Sequence, residues 1–251
     1  MDELQYFNTR RTIRAYEDKP IDLALINDML EASAQAPTCG NMQLYSVIIT
    51  TEQEGKAALA PAHFNQPSVT SASAVLTFCA DFNRFVKWCR LRNADPGYDN
   101  FQSFVSAMLD TAIFAQQFCT IAEMRGFGTC YLGTTTWNAP MIAEALDLPS
   151  MVIPIITVTL GYPAEEGVVS DRLPVDGYVH MQTYHDYTPA DIDRIYAPKE
   201  ALPESDIFIK ENNKHTLAQV FTDIRYPREA NEYFSKVFYD FMERGGFPWP
   251  K

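Results

Sequence analysis

The stretch FQSFVSAMLDTAIFAQQFCTIAEMRGFGTCYLG, residues 101–133, decides the fold of this chain. Its first part has apolar residues over most of a helix circumference, and we predict a helix over residues 100–125. Gly126 is placed to end that helix, and residues 127–132 have the pattern of a strand. A helix with so broad an apolar surface must be buried on several sides, either inside one large core or between two subunits.

Further strands and helices are predicted on both sides of this stretch. The predicted strands are residues 44–49, 74–80 and 152–160. One predicted helix begins after Asp22, which is a capping residue, and ends near residues 36–37. Two others are predicted near residues 140–146 and 229–244. Strands interleaved with helices indicate a layered α/β or α+β domain.

The composition and the pattern of predicted elements change near residue 164. Acidic loops, several prolines and short helical segments follow, with little strand pattern. We therefore predict a single domain over residues 1–251. Within it, residues 164–251 would form an extension or arm that packs on the core or on a partner subunit.

Composition and charge exclude several classes of function. The chain has 251 residues and a formal net charge of -12 at pH 7, which argues against nucleic acid or an anionic membrane surface as its main partner. No apolar run approaches the roughly 20 residues that a transmembrane helix needs. The opening residues, MDELQYFNTR, lack the basic and apolar regions of a secretory signal, so we expect a cytoplasmic protein.

The cysteines and histidines predict neither a disulfide framework nor a metal site. The five cysteines include no CxxC pair, a spacing typical of reduced thiols in the cytoplasm. The four histidines lack the spacing of metal ligands, and no carboxylate-rich motif flanks them. We expect no metal.

Three arginines stand within five residues near the N-terminus, in Arg10-Arg11-Thr12-Ile13-Arg14. Guanidinium groups stay charged and bind phosphate oxygens through paired hydrogen bonds, so the cluster predicts an anion site. The hydroxyl of Thr12 offers a further donor. Taken alone, the same cluster is also typical of a solvated basic turn.

The glycine-rich segment GFGTCYLG, residues 126–133, invites comparison with a dinucleotide-binding fingerprint but does not have its context. That fingerprint follows a strand and opens a helix, whereas this segment follows a helix and opens a strand. Its glycines are better explained as ending the long helix and letting the backbone approach a flat group.

Four segments in this order resemble the nitroreductase family of FMN enzymes. They are RRTIR at 10–14, APTCGNMQ at 36–43, the glycine-rich segment at 126–133 and DRLP at 171–174. The segment FCADFNR at 78–84 and the long C-terminal extension are similar to the NADPH-dependent, oxygen-insensitive nitroreductases and flavin reductases. The resemblance implies an α+β fold, a three-layer sandwich whose central, mostly antiparallel sheet is flanked by helices. It also implies a helical C-terminal extension and a homodimer.

The resemblance assigns cofactor contacts to particular residues. Those matching the motif for the FMN phosphate and ribityl chain are Arg10, Arg11, Thr12 and Arg14, with Arg172 closing on the phosphate. Those matching backbone beside the isoalloxazine are Tyr131, Leu132, Gly133 and Thr134, while Gln66 matches a glutamine on the pyrimidine edge. Those matching a loop contributed by the other subunit are Thr38, Cys39, Gly40 and Gln43. We also place Arg14 at the N1/O2 edge of the flavin or at the ribityl chain beside it.

Two positions depart from the subgroup pattern. Ser170 stands two residues before Arg172, where the subgroup commonly has a lysine, and we include it among the cofactor residues. The subgroup binds the NADPH 2′-phosphate through arginines of the extension. Here the corresponding residues are Lys210, Lys214 and His215, to which we assign NAD(P)H contact without deciding between NADH and NADPH.

The function that the resemblance implies is FMN-dependent reduction of nitroaromatics, quinones or free flavins by NAD(P)H. The flavin carries the hydride in a ping-pong cycle, so no side chain is assigned as catalytic. Two alternatives stay open from the sequence. One is a flavin-dependent reductase of a specialised substrate, and the other is an FMN-binding storage or sensor protein without efficient turnover.

Overall fold

The computed structural model describes residues 3–248, which divide into two compact units. The first contains the chain up to Val168 and from Phe234 onward, and the second is Val169–Tyr233. The strands are Tyr45–Thr50 (β1), Ala74–Asp81 (β2), Gly128–Leu132 (β3) and Val152–Gly161 (β4). The helices are Glu3–Asn8 (α1), Leu23–Ser33 (α2), Gln53–Leu59 (α3), Pro67–Ser71 (α4), Asn83–Leu91 (α5), Phe101–Met124 (α6), Ala139–Ala145 (α7), Pro189–Glu200 (α8), Pro203–Glu211 (α9), Leu217–Val220 (α10) and Arg228–Arg244 (α11).

The four strands form one sheet in the order β1-β2-β4-β3, and each neighbouring pair is antiparallel. The central strands β2 and β4 are buried almost throughout, because helices cover both faces of the sheet. Between Phe78 and Cys79 the register of β2 against β4 shifts, and Pro154 lies next to this irregularity, a position where proline is tolerated in a sheet. The antiparallel sheet confirms the predicted α+β fold.

The sheet lies between two layers of helices. On one face, Met29 of α2 and Phe118 of α6 pack with Phe78 of β2 in a buried cluster. On the other face, Leu59 of α3 and Ile142 of α7 belong to a second buried cluster. The three layers are those that the resemblance implied.

Helix α6 is the central element of the first unit. The Asn100 side chain caps its start by accepting the Ser103 N–H at 3.0 Å, and Gly126 follows its end with a φ of +86°. By length and composition alone α6 could cross a membrane, yet it packs against the sheet as a core helix does. Part of its apolar surface stays uncovered in a single chain, since Leu109 and Ile113 are 49% and 43% exposed.

The other predicted elements are confirmed with small shifts at their ends. Asp22 caps α2 by accepting the Ala24 N–H at 2.9 Å, and the helix ends at Ser33, before the predicted end near residue 36. Four short helices, α1, α3, α4 and α5, had not been predicted. In the second unit, Pro189 and Pro203 occupy first turns of helices, where the missing N–H of proline costs no hydrogen bond.

Candidate cofactor site

The arginine-rich segment of the N-terminus lies along β3. The Ile13 N–H donates to the Thr129 carbonyl at 3.1 Å, and the Ile13 side chain is buried. Gly128 permits this contact, because a Cβ at that position would lie 2.7 Å from the Ile13 side chain. Gly128 therefore serves an internal contact of the chain, while Gly126 ends the helix as predicted.

The structure divides the arginine cluster between the interior and the surface. Arg10 forms an ion pair with Glu123 of α6, with Nη2 and Oε1 3.0 Å apart. Arg11 and Arg14 are exposed, and Arg11 Nη1 donates to the Glu166 carbonyl at 3.0 Å. Among the three arginines of this N-terminal segment, Arg11 and Arg14 are thus the ones presented to solvent.

Glu165 binds the backbone beside Arg14. Its Oε1 accepts the N–H groups of Arg14 and Ala15 at 2.7 and 3.1 Å, and these bonds hold the pKa of the Glu165 carboxyl below its usual range. Those amides are therefore occupied by the chain itself. A bound anion would meet the side chains of Arg11, Arg14 and the half-buried Thr12 instead.

The end of β3 opens onto free space. Leu132 is buried and Tyr131 is half-buried, whereas Gly133 is exposed, and a Cβ built on it would meet no atom within 4 Å. Thr134 follows with its Oγ1 2.8 Å from Nδ1 of His63. Open space beside an exposed backbone is what a flat ring system needs in order to approach.

Gln66 lies at the end of a strained turn. Phe64 and Asn65 both adopt left-handed backbone conformations, with φ of +52° and +53°, which is rare for a bulky aromatic residue. The Gln66 N–H donates to the His63 carbonyl at 3.1 Å, and Pro67 then begins α4. Strain of this kind persists only where neighbouring contacts hold it, and it is often found at functional sites.

The predicted loop of Thr38, Cys39, Gly40 and Gln43 is likewise unusual in its backbone. Gly40, Asn41 and Gln43 have φ of +57°, +55° and +55°. Arg84 of α5 donates to the Gln43 carbonyl. The loop is half-buried at Thr38 and Cys39 and exposed at Gly40 and Gln43.

Asp110 of α6 fixes this loop at both ends. Its Oδ1 accepts the Cys39 N–H at 2.8 Å and its Oδ2 accepts the Leu44 N–H at 3.2 Å, and the residue is 1% exposed. Burial, together with the Asp110 carboxylate, raises the pKa of the Cys39 thiol. A thiol of raised pKa is a poor nucleophile, which argues against Cys39 as a redox centre.

Ser170 and Arg172 lie in the second unit. Arg172 Nη1 donates to the carbonyls of Ser170 and Asp171 at 3.2 and 2.8 Å, and both Ser170 and Arg172 are exposed. Arg172 lines a cleft of about 700 Å³ within this unit. At the same cleft, Lys199 of α8 forms an ion pair of 2.7 Å with Asp171.

The three residues assigned to NAD(P)H also lie in the second unit. Lys210 is exposed in the last turn of α9. Lys214 forms an ion pair of 2.9 Å with Asp223, so its charge is already compensated. The His215 N–H donates to Gln219 Oε1 at 2.9 Å, and the ring is exposed.

The first unit suits FMN in its charge and its shape. Arg11 and Arg14 supply exposed cations for a phosphate in a chain of net charge -12. Gly133 leaves room for a ring, and Gln66 carries both a donor and an acceptor for its polar edge.

Comparison with known proteins places the chain in a family. Residues 8–162 match the sequence model of the Nitroreductase family. The chain belongs to the nitroreductase family. This membership confirms the resemblance seen in the sequence, and the matched residues cover most of the first unit.

Several nitroreductase relatives match over most of their length. The oxygen-insensitive NADPH nitroreductase of Salmonella typhimurium is 31% identical over 174 residues, 69% of this chain and 71% of that protein. The FMN reductase (NAD(P)H) of Bacillus subtilis is 31% identical over 176 residues, 69% and 71% of the two chains. A Bacteroides fragilis protein of known crystal structure is 56% identical with a TM-score of 0.95, covering 97% of this chain and 99% of its own.

Sequence reasoning missed His63, Asp110 and Glu165. Asp110 had a usable signal, since a lone carboxylate inside an apolar helix must find buried donors. Neither a single histidine nor an acidic residue in a loop carries a comparable signal. Their roles arise from contacts distant in sequence.

Proposed function

We propose that this nitroreductase-family protein is an FMN-dependent NAD(P)H oxidoreductase that reduces nitroaromatics, quinones or free flavins. The observation that carries the proposal is the match of residues 8–162 to the family. Relatives named NADPH nitroreductase and FMN reductase support the choice of cofactor and electron donor. The proposed substrates, which are nitroaromatics, quinones and free flavins, are all small molecules.

FMN, when bound, supplies the hydride chemistry, so the chain needs no nucleophile or general base of its own. Its residues must bind and orient the cofactor. A phosphomonoester carries about -1.5 to -2 charges at neutral pH, which the exposed guanidinium groups of Arg11 and Arg14 would offset. Gln66 would hold the polar ring edge, and the backbone from Tyr131 to Thr134 would lie along the ring.

The second unit supplies the remaining proposed contacts. Ser170 and Arg172 are proposed to bind the same phosphate, supported by the exposed Arg172 guanidinium. Lys210, Lys214 and His215 are proposed to meet NAD(P)H. Of these, Lys210 is an exposed cation, whereas Lys214 is already paired with Asp223.

We further propose that the protein is a homodimer that works in the cytoplasm. The exposed apolar side chains of Leu109 and Ile113, on a helix that packs its other side against the sheet, support a partner subunit. In the dimer, the loop of Thr38 and Gln43 would serve the partner's cofactor. The five cysteines are unpaired, as is usual in a reducing compartment.

Steady-state kinetics test this function. Initial rates of NADPH and NADH oxidation by the FMN-loaded protein would be measured against a quinone and a nitroaromatic at several fixed concentrations. A ping-pong cycle in one site gives parallel lines in double-reciprocal plots. No oxidation of either nucleotide would contradict the function, and intersecting lines would contradict the ping-pong order.

A further inference from the structure

Two turns that carry proposed flavin contacts are joined side by side. One contains Gln66 and the other contains Gly133 and Thr134. His63 Nδ1 lies 2.8 Å from Thr134 Oγ1, and the Asn138 side chain donates to the Ala62 carbonyl at 2.7 Å. Around them, the ring of Phe64 meets that of Trp137 edge-on, with centroids 6.4 Å apart.

The burial of His63 decides which atom of its hydrogen bond is the donor. The residue is 0% exposed, and its Nε2 has no hydrogen-bond partner in the described part of the chain. An orphaned buried N–H is rarer than an under-satisfied acceptor. The proton therefore belongs on Nδ1, which donates to Thr134 Oγ1, and Nε2 is the unprotonated nitrogen.

The direction of the hydrogen bond between His63 and Thr134 determines which further bond the Thr134 hydroxyl can make. With Oγ1 accepting from His63, the hydroxyl proton is not used in that bond. No acceptor in the described residues 3–248 takes this proton, and Thr134 is half-buried beside the open space at Gly133. The proton is thus available to a group that enters this space.

We propose that His63 is a positioning residue for the cofactor site: it locks the turn of Gln66 to the turn of Gly133 and directs the Thr134 hydroxyl to donate to the bound flavin. The inference rests on the proposed function, since it assumes that a flavin enters beside Gly133. Burial also lowers the pKa of His63 to about 4. The ring therefore stays neutral near pH 7, and the polarity of the bond does not switch.

FMN titration of variants tests the proposal, with quenching of flavin fluorescence as the readout. His63→Leu and Thr134→Val each remove the bond, and each is expected to weaken FMN binding about tenfold, the effect of one hydrogen bond. The double variant is expected to bind no more weakly than either single variant. His63→Asn keeps a donor near the position of Nδ1 and is expected to bind within about threefold of the wild type.

Two further measurements separate positioning from stability. Thr111→Val is the matched control, because Thr111 is also a buried threonine, and its hydroxyl donates within its own helix to Ala107 at 2.7 Å. It should leave FMN affinity and the absorption maxima of bound FMN unchanged. Thr134→Val should shift those maxima.

The proposal is overturned if Thr134→Val binds FMN like the wild type, or if the losses of the two single variants multiply in the double. Nitrogen-15 shifts of the His63 ring, measured without FMN, provide a readout independent of the cofactor. They are expected to show a protonated Nδ1, and a protonated Nε2 would overturn the assigned polarity. A wild type that takes up no FMN would instead refute the proposed function, and the cofactor role of His63 with it, even where the ring shifts agree.

Discussion

At the scale of single residues, the partners of each arginine determine whether it stabilises the fold or is free to bind a cofactor phosphate. Arg10 is held by Glu123, whose side chain is largely buried, so its charge stabilises the fold. Arg14 is an exposed residue, while its own N–H is bound by Glu165. Backbone and side chain of Arg14 thus have separate roles, and the side chain can be removed without freeing Glu165.

We predict that Arg14→Ala weakens FMN binding without unfolding the protein. Loss of a charge-assisted hydrogen bond of about 1.5–3 kcal/mol corresponds to roughly a 10- to 150-fold higher dissociation constant. Arg90→Ala, which removes an exposed arginine from α5, is the control. Equal affinities of the two variants in fluorescence titration would show that the phosphate lies elsewhere.

His63 gives the fold a specific sensitivity to acid. Its pKa is about 4 in the folded protein because burial disfavours the charged ring, against about 6.5 when unfolded. Between these values the unfolded state binds the proton, so stability falls as pH drops through this window. From pH 7 to pH 5 the loss from this residue is about 2 kcal/mol.

Urea unfolding of the wild type and His63→Asn at pH 7 and pH 5 measures this contribution. The free energy of unfolding of the wild type is expected to fall more steeply, by about 2 kcal/mol, because asparagine does not titrate. The same pH dependence in both proteins would mean that His63 is charged or exposed in the folded state.

At the scale of elements, Asp110 links the central helix to the loop of Cys39. Its two carboxylate oxygens accept backbone N–H groups at both ends of that loop. The left-handed residues Gly40, Asn41 and Gln43 lie between these anchors. Helix α6 thereby sets the shape of a loop that we propose to serve the cofactor of the partner subunit.

Asp110→Ala is expected to destabilise the protein by about 2–4 kcal/mol, since it leaves the buried Leu44 N–H and the half-buried Cys39 N–H without an acceptor. Asp110→Asn keeps one acceptor oxygen and should lose less than half of that. Urea unfolding gives the free energies, and hydrogen exchange at the amides of Cys39 and Leu44 shows whether the loop opens. Unchanged exchange in Asp110→Ala would refute the role of this carboxylate.

The bounds of helices and strands that have clear capping residues or a long apolar pattern were predicted accurately. Short elements without these features were not predicted. The capping residue Asn100 and the glycine at 126 set the ends of α6 within a residue of the prediction. The helices α3 to α5 are short and lack a long apolar period, so their sequences gave little to detect. Arg11, Arg14 and Gln66 were predicted from motifs, whereas the contact of His63 depends on a partner 71 residues away.

At the scale of the whole molecule, a single chain leaves apolar surface uncovered. Leu109 and Ile113 project from α6, whose other residues form much of the core. The sequence left open whether this broad helix is buried in one core or between subunits. The structure buries part of this helix in the core, and we propose that a partner subunit covers the remainder.

Ile113→Glu is therefore expected to yield monomers, because a carboxylate in an apolar interface is costly to desolvate. Sedimentation velocity measures the mass of the variant and its FMN content at the same time. Leu91→Glu, on an apolar residue of α5 that is 75% exposed, is the control and should stay dimeric. A dimeric Ile113→Glu, or a monomeric wild type, would refute the proposed interface.

The visible absorption spectrum of the purified protein, recorded without oxygen before and after NADPH and then NADH are added, tests the proposed chemistry most directly. An oxidised flavin spectrum that bleaches on addition of a nucleotide is the predicted result. The faster of the two nucleotides identifies the electron donor. A protein that stays colourless when given FMN, or a flavin spectrum that persists with both nucleotides, would contradict an FMN-dependent NAD(P)H oxidoreductase.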